Sequence, residues 1–209
     1  HAGKLVFHAA ALVTGSGTVL VLGASGQGKS TLSAAWLNVG RVVSDDHVVV
    51  SAAVAASGMD FCVEPLRADM YLRPGSVRAL PPALLECGEP STDGRLRIRR
   101  DCAASRFSAL GAVSGIVVLE GQERGADSWL RPLSQSEGLL AVMAANSYLS
   151  AGPPFASPVL FGLAQRLVSD VPVCRLSVGS KLLRRPGEEL RRVNDLLNLH
   201  LPGAQSTGS

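Results

Sequence analysis

The chain has 209 residues, 46% of them hydrophobic, and carries a formal net charge of +3. This length and apolar content suit a single domain with a full core, expected over residues 1–202, followed by a flexible tail at 203–209. A charge this small does not indicate nucleic-acid binding, and no apolar run reaches the ~18 residues that cross a membrane, so we expect neither kind of partner.

The first part of the chain alternates between strand and helix patterns. Apolar, β-rich runs predict strands over Thr18–Leu22 and Arg41–Val50, and a strand or hairpin over Lys4–Val13. Helical spacing predicts a helix over Ser30–Val39 that ends near Gly40. Such alternation predicts an α/β fold, in which a parallel or mixed sheet has flanking helices.

Prolines break residues 51–105 into short pieces. Within this region Arg95–Arg99 alternates charged and apolar residues, which predicts an edge strand with its arginines in solvent; an arginine-bearing lid over phosphates is the alternative. The cysteines are far apart in the sequence and form no metal-binding pattern, so reduced, buried thiols in a cytoplasmic protein are the favoured interpretation. They are Cys62, Cys87, Cys102 and Cys174.

The second half of the chain continues the alternation. Ser134 and Glu137 form a capping box, which predicts the start of a helix. The basic residues 181–185 are either a solvated helix face or a surface for an acidic peptide or a C-terminal carboxylate. The predicted elements are a strand over Val113–Glu120, helices over Ser134–Leu149 and Pro158–Leu167, a strand over Cys174–Val178 and a helix over Glu188–Leu199.

The most specific signal is the glycine-rich segment between the early strand and helix. Residues 23–31 match the phosphate-binding pattern G-x-x-x-x-G-K-[ST]. The glycines let backbone N–H groups surround phosphate oxygens, an exposed Lys29 would neutralise the β- and γ-phosphates, and the Ser30 hydroxyl would ligate Mg²⁺. The helix that follows adds the positive end of its dipole. The expected nucleotide contacts are Gly23, Ala24, Ser25, Gly26, Gln27, Gly28, Lys29, Ser30 and Thr31.

The strand pattern over residues 41–46 ends in two adjacent acids, Asp45 and Asp46. Neighbouring residues of a strand point to opposite faces, so one carboxylate can face the Mg²⁺ near Ser30 while the other faces a second reactant. One acid that organises a metal and one that accepts a proton suffice to transfer a phosphoryl group to a hydroxyl group. The alternative is a single metal-linked acid, with the second one exposed to solvent.

Three segments resemble the catalytic domain of HPr kinase/phosphorylase: residues 8–13, 18–30 and 43–48. They are similar to the family's histidine before the loop, to its G-x-S-G-x-G-K-S loop and to its A-D-D strand, at closely agreeing spacings. The resemblance implies a P-loop nucleotide-binding domain of the HPr kinase type that uses ATP and Mg²⁺.

The resemblance also implies roles for individual residues. Asp46 resembles the family's catalytic acid/base, which would accept the proton of the substrate hydroxyl, and Asp45 would hold the metal region together with Ser30. His8 resembles an active-site histidine. A looser similarity further along the chain implies that Arg131 assists phosphoryl transfer, with a plain surface charge as the alternative.

One part of the family pattern is missing from the chain. Residues 51–80 lack the family's Glu-x-Arg-Gly-x-Gly stretch, which supplies a metal-binding Glu and is tied to the reverse reaction; Asp69 is the nearest acid to that role. The chain looks more like stand-alone relatives, some of which phosphorylate a hydroxyl at the C-terminal residue of a lasso-peptide precursor. The resemblance thus implies a cytoplasmic serine kinase of a peptide or protein that works in the forward direction, and it leaves open a homo-oligomer. A peptide acceptor needs an open groove, and its candidate walls are the proline-broken region 65–90 and the basic residues 181–185.

Two other functions use the same kind of loop. A nucleotide-dependent switch or motor ATPase needs a residue that positions water. A small-molecule kinase normally carries a mobile lid with several arginines over the phosphates. The acid pair and His8 favour a kinase of hydroxyl groups, because that acceptor needs a base.

Overall fold

The structure, a computed structural model, describes residues 4–55, 58–121, 127–145, 158–183 and 186–201. The expected tail at 203–209 lies outside these ranges, as do the end of the helix expected over Ser134–Leu149 and the last residues of the basic stretch 181–185. Within the described ranges, no helix is long and apolar enough to cross a membrane.

Short strands and helices make up the described chain. The strands are β1 Lys4–His8, β2 Ala10–Thr14, β3 Gly17–Leu22, β4 Arg41–Ser44, β5 His47–Ala55, β6 Gly58–Pro65, β7 Met70–Leu72, β8 Gly88–Pro90, β9 Leu96–Ile98, β10 Gly111–Glu120, β11 Trp129–Pro132 and β12 Val173–Ser177. The helices are α1 Lys29–Trp36, α2 Pro74–Val77, α3 Gln135–Ala145, α4 Pro158–Asp170 and α5 Pro186–His200, with 3₁₀ turns at Pro82–Cys87, Ala104–Arg106 and Ser180–Leu183.

The centre of the fold is a mixed sheet of nine strands. Its order is β1-β5-β6-β10-β3-β2-β4, with β12 also beside β10 and β11 beside β12. β10 pairs in parallel with β3 and with β12. The other pairings of the sheet, which involve β1, β2, β4, β5, β6 and β11, are antiparallel. The carboxyl ends of β3 and β10 therefore point the same way, towards the loop that follows β3.

Helices cover both faces of this sheet. On one face α1 and α5 contribute Trp36 and Leu190 to a core. On the other face α3 and α4 contribute Val142 and Leu167. The removal of apolar area from water is the main force that holds helices onto a sheet. The expected α/β fold, a mixed sheet with flanking helices, is confirmed.

Two neighbouring segments of the chain each change their pairing partners part-way along the segment. β1 leads into β2 through Ala9, but β1 pairs with β5 while β2 pairs with β3 and β4. In the same way Asp45 and Asp46 separate β4 from β5 and belong to neither strand. The predictions of one strand or hairpin over Lys4–Val13 and of one strand over Arg41–Val50 are therefore wrong, because both segments turn a corner where their partners change.

These corners position chemically active side chains. His8 at the end of β1 lies opposite His47 at the start of β5, and Ala11 of β2 lies opposite Ser44 of β4. The acid pair sits between those two pairings along the chain. The fold thus brings a histidine from each segment together with the acids.

A second sheet has three strands in the order β7-β9-β8. Because β9 lies between two neighbours, the edge strand predicted over Arg95–Arg99 is wrong. Ile98 is fully buried in the core, while the guanidinium of Arg97 lies 2.6 Å from Asp69. Acidic partners on the adjoining segments let a central strand carry a charged face, which the alternation alone does not reveal.

A disulfide joins Cys87 and Cys102, whose Cα atoms are 5.6 Å apart. The interpretation that all cysteines are reduced is wrong for this pair. The antiparallel pairing of β8 with β9 brings the residues flanking these strands together, and sequence spacing gives no sign of that pairing. Cys62 and Cys174 are free, and burial raises the pKa of the Cys174 thiol.

The predicted helices occur, with shifts at their ends. The N–H of Gly40 donates to the carbonyl of Trp36, the last residue of α1, at 2.8 Å. The capping box also forms: Ser134 N donates to Glu137 Oε2 at 2.9 Å, and Glu137 N donates to Ser134 Oγ at 3.3 Å. The strands predicted over Thr18–Leu22, Val113–Glu120 and Cys174–Val178 and the helices over Pro158–Leu167 and Glu188–Leu199 correspond to β3, β10, β12, α4 and α5.

Candidate functional site

The β3–α1 loop, residues 23–28, turns through backbone conformations that favour glycine. The φ angle is 154° at Gly23, 86° at Gly26 and 98° at Gly28. Gly28 is also the N-cap of α1, which has no side-chain cap and no acidic residue in its first turn. The N–H groups at this helix end are therefore left for an anion, which is the condition for a phosphate site.

Lys29 is buried under this loop. Only 6% of the residue is accessible, and its Nζ donates to the carbonyls of Gly23 at 2.6 Å and Ala24 at 3.1 Å. Burial lowers the pKa of Lys29, while the charge of Asp46 opposes that shift. The expectation of an exposed lysine is wrong, because the loop folds over its ammonium group. An ammonium group has three donors, so one N–H remains for a phosphate.

A cleft of about 480 Å³ opens beside this loop. Nine of the residues expected at the site line it: His8, Ser25, Gly26, Gly28, Lys29, Ser30, Thr31, Asp45 and Asp46. The remaining loop residues, Gly23, Ala24 and Gln27, line a neighbouring cavity of about 450 Å³, which His8 also borders. The fold thus gathers residues from β1, the loop and the β4–β5 corner around one space.

Asp45 is a buried acid with an unpaired oxygen. It is 4% exposed, and its Oδ2 has no hydrogen-bond partner. Burial, and then the charge of Asp46, raise its pKa to about 7. Because buried polar atoms are normally paired, an unpaired carboxylate oxygen at a cleft fits a bound cation.

Mg²⁺ suits the donors around Asp45. This ion is usually held by one or two carboxylates together with phosphate oxygens and water, rather than by a cage made only of protein. Ser30 lines the same cleft. Across the described part of the chain, no group of three or more His, Cys, Asp and Glu side chains could hold a metal. A metal here would therefore take Asp45, Ser30 and phosphate oxygens as ligands.

Asp46 is more accessible than its neighbour, with 27% of its side chain exposed. Its Oδ1 lies 3.2 Å from Nε2 of His8, and its Oδ2 lies 2.9 Å from Nδ1 of His47 and 3.5 Å from Nη1 of Arg67. The His47 nitrogen is close to Asp46 but is not aligned for a hydrogen bond. These contacts fix an acceptor carboxylate in the cleft, where a second reactant can reach it.

The charges of both Asp46 and Lys29 act on the pKa of His8. Its ring stacks on that of His47, with centroids 5.1 Å apart. Burial, and then the charge of Lys29, lower the pKa of His8, while Asp46 acts in the opposite direction. A lowered pKa favours the neutral imidazole at neutral pH, so His8 can hydrogen-bond near phosphates without adding a charge.

The other wall of the cleft comes from five residues to which the sequence assigns no individual role, four of them within the region 65–90 that is a candidate groove wall. They are Tyr71, Arg73, Gly75, Ser76 and Arg95. The hydroxyl of Ser76 lies 2.9 Å from that of Thr31, which joins α2 to α1. No spacing rule marks these residues, because they reach the cleft through the docking of the small sheet. Arg95 alone stood in a recognisable pattern, the alternating arginine stretch.

Three sequence candidates lie away from the cleft. Arg131 is exposed on β11 and does not line the cleft. Asp69 accepts a hydrogen bond from Nε of Arg97 at 2.7 Å, so its carboxylate already has a cationic partner. Lys181 lies 3.1 Å from Asp127, an acid that partly neutralises the basic stretch 181–185.

Solved structures, rather than known sequences, resemble this chain. No protein-family model and no curated protein matches the chain. Among solved structures, the chain is similar to an HPr(Ser) kinase/phosphatase from Coxiella burnetii, with 13% identity and a TM-score of 0.44, over 93% of this chain and 95% of that one. A likeness of this size assigns neither family nor activity, so the chemistry of the cleft has to decide the function.

Proposed function

We propose that the chain is an ATP- and Mg²⁺-dependent kinase that transfers the γ-phosphoryl group of ATP to a Ser or Thr hydroxyl of a peptide or protein. The observation that carries the proposal is that a glycine loop over a buried lysine, a buried unpaired acid and an accessible acid all border one cleft. Each of these features answers one requirement of phosphoryl transfer: phosphate binding, metal binding and a base.

The β3–α1 loop and the start of α1 would bind the phosphates of ATP. Backbone N–H groups of the loop and of the uncapped helix end supply donors. The remaining N–H of Lys29 would contact the β- and γ-phosphates. Since Lys29 already holds the carbonyls of Gly23 and Ala24, the phosphate site is largely formed before the nucleotide arrives.

Asp45 and Ser30 would hold Mg²⁺ beside those phosphates. The unpaired oxygen of Asp45 supports this role, since it is the kind of donor that this ion takes. When bound, the ion neutralises charge that builds up on the transferring phosphoryl group. Burial of Asp45 makes its bare carboxylate unfavourable, so a cation at this position would also stabilise the folded protein.

Asp46 would accept the proton of the acceptor hydroxyl. The hydroxyl oxygen then bonds to the γ-phosphorus, the bond from that phosphorus to the bridging oxygen of ADP breaks, and the proton stays on the Asp46 carboxylate. His8, 3.2 Å from Asp46, would keep this carboxylate in position. A base is needed for a hydroxyl acceptor but not for a nucleoside monophosphate, which is already ionised at neutral pH.

The acceptor is proposed to be a flexible peptide, and in the finer form of the proposal the C-terminal Ser of a lasso-peptide precursor. Support for a peptide comes from the accessible position of Asp46, and support for the precursor comes from the sequence resemblance alone. Incubating the chain with ATP, Mg²⁺ and peptides encoded by neighbouring genes, followed by mass spectrometry, tests both. Phosphorylation of nucleotides or sugars in place of every Ser or Thr peptide would contradict the proposal.

Replacing Asp45 with Asn should raise the Mg²⁺ requirement of the chain. The amide has no charge to offer a cation, so the Mg²⁺ concentration for half-maximal rate should rise at least about tenfold. The measurement is a Mg²⁺ titration of the initial rate and of ATP binding. Asp46→Asn is the matched control, because it removes a neighbouring charge without removing the metal ligand. If the two variants respond alike to Mg²⁺, the division of roles between the acids is wrong.

A further inference from the structure

The arginine-rich stretch Arg95–Arg100, which contains β9, is the sequence feature that the proposed function leaves unused. Three of its four arginines are held by other partners and do not line the cleft. Arg97 pairs with Asp69 and Glu89, Arg99 pairs with Glu89 and Asp101, and Arg100 donates to the backbone carbonyls of Val43, Ala68 and Ser108. These arginines stabilise the small sheet and tie it to β4.

Arg95 differs from these arginines because it lines the cleft. Its guanidinium carbon lies 5.2 Å from the centre of the Tyr71 ring. The backbone N–H of Tyr71 faces Asp45, so the ring that Arg95 contacts belongs to a residue beside that acid. Arg95 therefore stands at the end of the cleft that holds the acid pair, where the β- and γ-phosphates of a bound nucleotide would lie.

The partner that now holds Arg95 is replaceable. Its Nη2 lies 2.5 Å from Oδ2 of Asp93, two residues earlier in the turn between β8 and β9. Asp93 is 46% exposed, and ion pairs between exposed side chains are weak in water. Asp93 meets both Nε and Nη2 of Arg95 with its single oxygen Oδ2, whereas a phosphoryl group offers a guanidinium more charge and one oxygen for each of two nitrogens.

The backbone that carries Arg95 is firmly held. The Cys87–Cys102 disulfide closes the segment that contains β8, the turn and β9. Within the turn, the N–H of Ser91 donates to the carbonyl of Arg95 at 2.8 Å. Only the side chain of Arg95 would have to move in order to exchange Asp93 for a phosphate, so the cost of ordering it is small.

We propose that Arg95 is the residue that contacts the γ-phosphoryl group during transfer, and that Asp93 holds its side chain until then. The proposal rests on the kinase function proposed above. It gives Arg95 the role that the sequence resemblance suggested for Arg131, which is exposed on β11 outside the cleft. An arginine from one wall and Lys29 from the other would together balance the charge that spreads over the phosphoryl oxygens.

The test compares Arg95→Ala with Asp93→Asn and Arg97→Ala. Because the acceptor is not needed, the probe is ADP with Mg²⁺ and aluminium fluoride, which mimics the phosphoryl group in transit. Arg95→Ala should bind ADP as the parent chain does but should capture ADP with aluminium fluoride about 10²-fold more weakly. With a peptide acceptor, kcat should fall by a similar factor while the Kd for ATP stays near that of the parent.

The other two variants separate this role from a structural one. Asp93→Asn frees Arg95, so this variant should capture ADP with aluminium fluoride as tightly as the parent or more tightly. If the Arg95–Asp93 pair only stabilised the turn, Arg95→Ala and Asp93→Asn would instead lose capture alike. Arg97→Ala, on the same segment but paired with Asp69 and Glu89, should leave capture unchanged once a thermal melt shows that it is folded. Parent-like capture by Arg95→Ala would overturn the role of Arg95 alone. A parent chain that binds neither ATP nor ADP would overturn the kinase proposal with it.

Discussion

Lys29→Met should lose phosphoryl transfer by at least about 10³-fold and should bind ATP much more weakly than the parent chain. Methionine keeps the length of the buried side chain but removes the charge and all donors. The nucleotide then loses the cation that would contact its β- and γ-phosphates, and the carbonyls of Gly23 and Ala24 lose the donor that holds the loop over that position.

The measurement is titration with a fluorescent ATP analogue, followed by the rate of transfer to a peptide. Methionine is chosen over alanine because Lys29 is buried, and alanine would leave a cavity there. Lys4→Met is a matched control: Lys4 is exposed at the end of β1 opposite to His8 and pairs with Glu64 of β6, so its loss should leave ATP binding unchanged. A folded Lys29→Met variant with normal turnover would disprove the phosphate role of the loop.

The elements around the loop were predictable because their signals are local. A β-rich run, positions that need glycine and a helical pattern follow one another within residues 18–37. β3 and α1 appear there, and the two fixed glycines of the pattern, Gly23 and Gly28, adopt positive φ angles, as does Gly26 at a variable position. What the pattern did not predict is the burial of Lys29, because the closing of the loop over its ammonium group depends on hydrogen bonds to Gly23 and Ala24.

The sequence pattern locates the acid pair correctly, but the strand geometry assumed for the two acids is wrong. The expectation that Asp45 and Asp46 face apart relied on a continuous strand, yet both residues sit at a corner and both line the cleft. The two acids differ in burial. Asp45 is 4% exposed as a whole residue, whereas 27% of the side chain of Asp46 is exposed. The corner arises from pairings between segments about 40 residues apart in β1–β5 and about 30 apart in β2–β4, which no local pattern encodes.

The individual residues of the opposite wall could not be predicted from the sequence, although four of the five lie in the proline-broken region 65–90 that is a candidate groove wall. Tyr71 and Arg95 reach it only because β7 and β9 pair and because their sheet docks against α1. The alternation of Arg95–Arg99 gave the correct period of a strand but the wrong place in the sheet, since the acids that neutralise Arg97 and Arg99 lie on other segments. Long-range pairing, rather than propensity, therefore decided which arginine faces the cleft.

Asp46→Asn should bind ATP and Mg²⁺ nearly as the parent chain does but should transfer phosphate about 10²–10⁴-fold more slowly, the usual contribution of a general base. Asparagine keeps the size and shape of the side chain and can still accept hydrogen bonds, so the contacts with His8, His47 and Arg67 need not collapse. It cannot take a proton from the acceptor hydroxyl at neutral pH, and that single deficiency should appear in kcat.

The measurement is single-turnover transfer from labelled ATP to an acceptor peptide, alongside nucleotide and Mg²⁺ titrations. Glu64→Gln is a suitable control, because Glu64 is another accessible acid, paired with Lys4 and absent from the cleft. A loss of ATP binding in Asp46→Asn as large as that in Lys29→Met would show that Asp46 serves the nucleotide rather than the acceptor. Parent-like transfer by Asp46→Asn would mean that another group takes the proton, and His8, which lies 3.2 Å from Asp46 and is favoured in its neutral form, would then be the residue to replace.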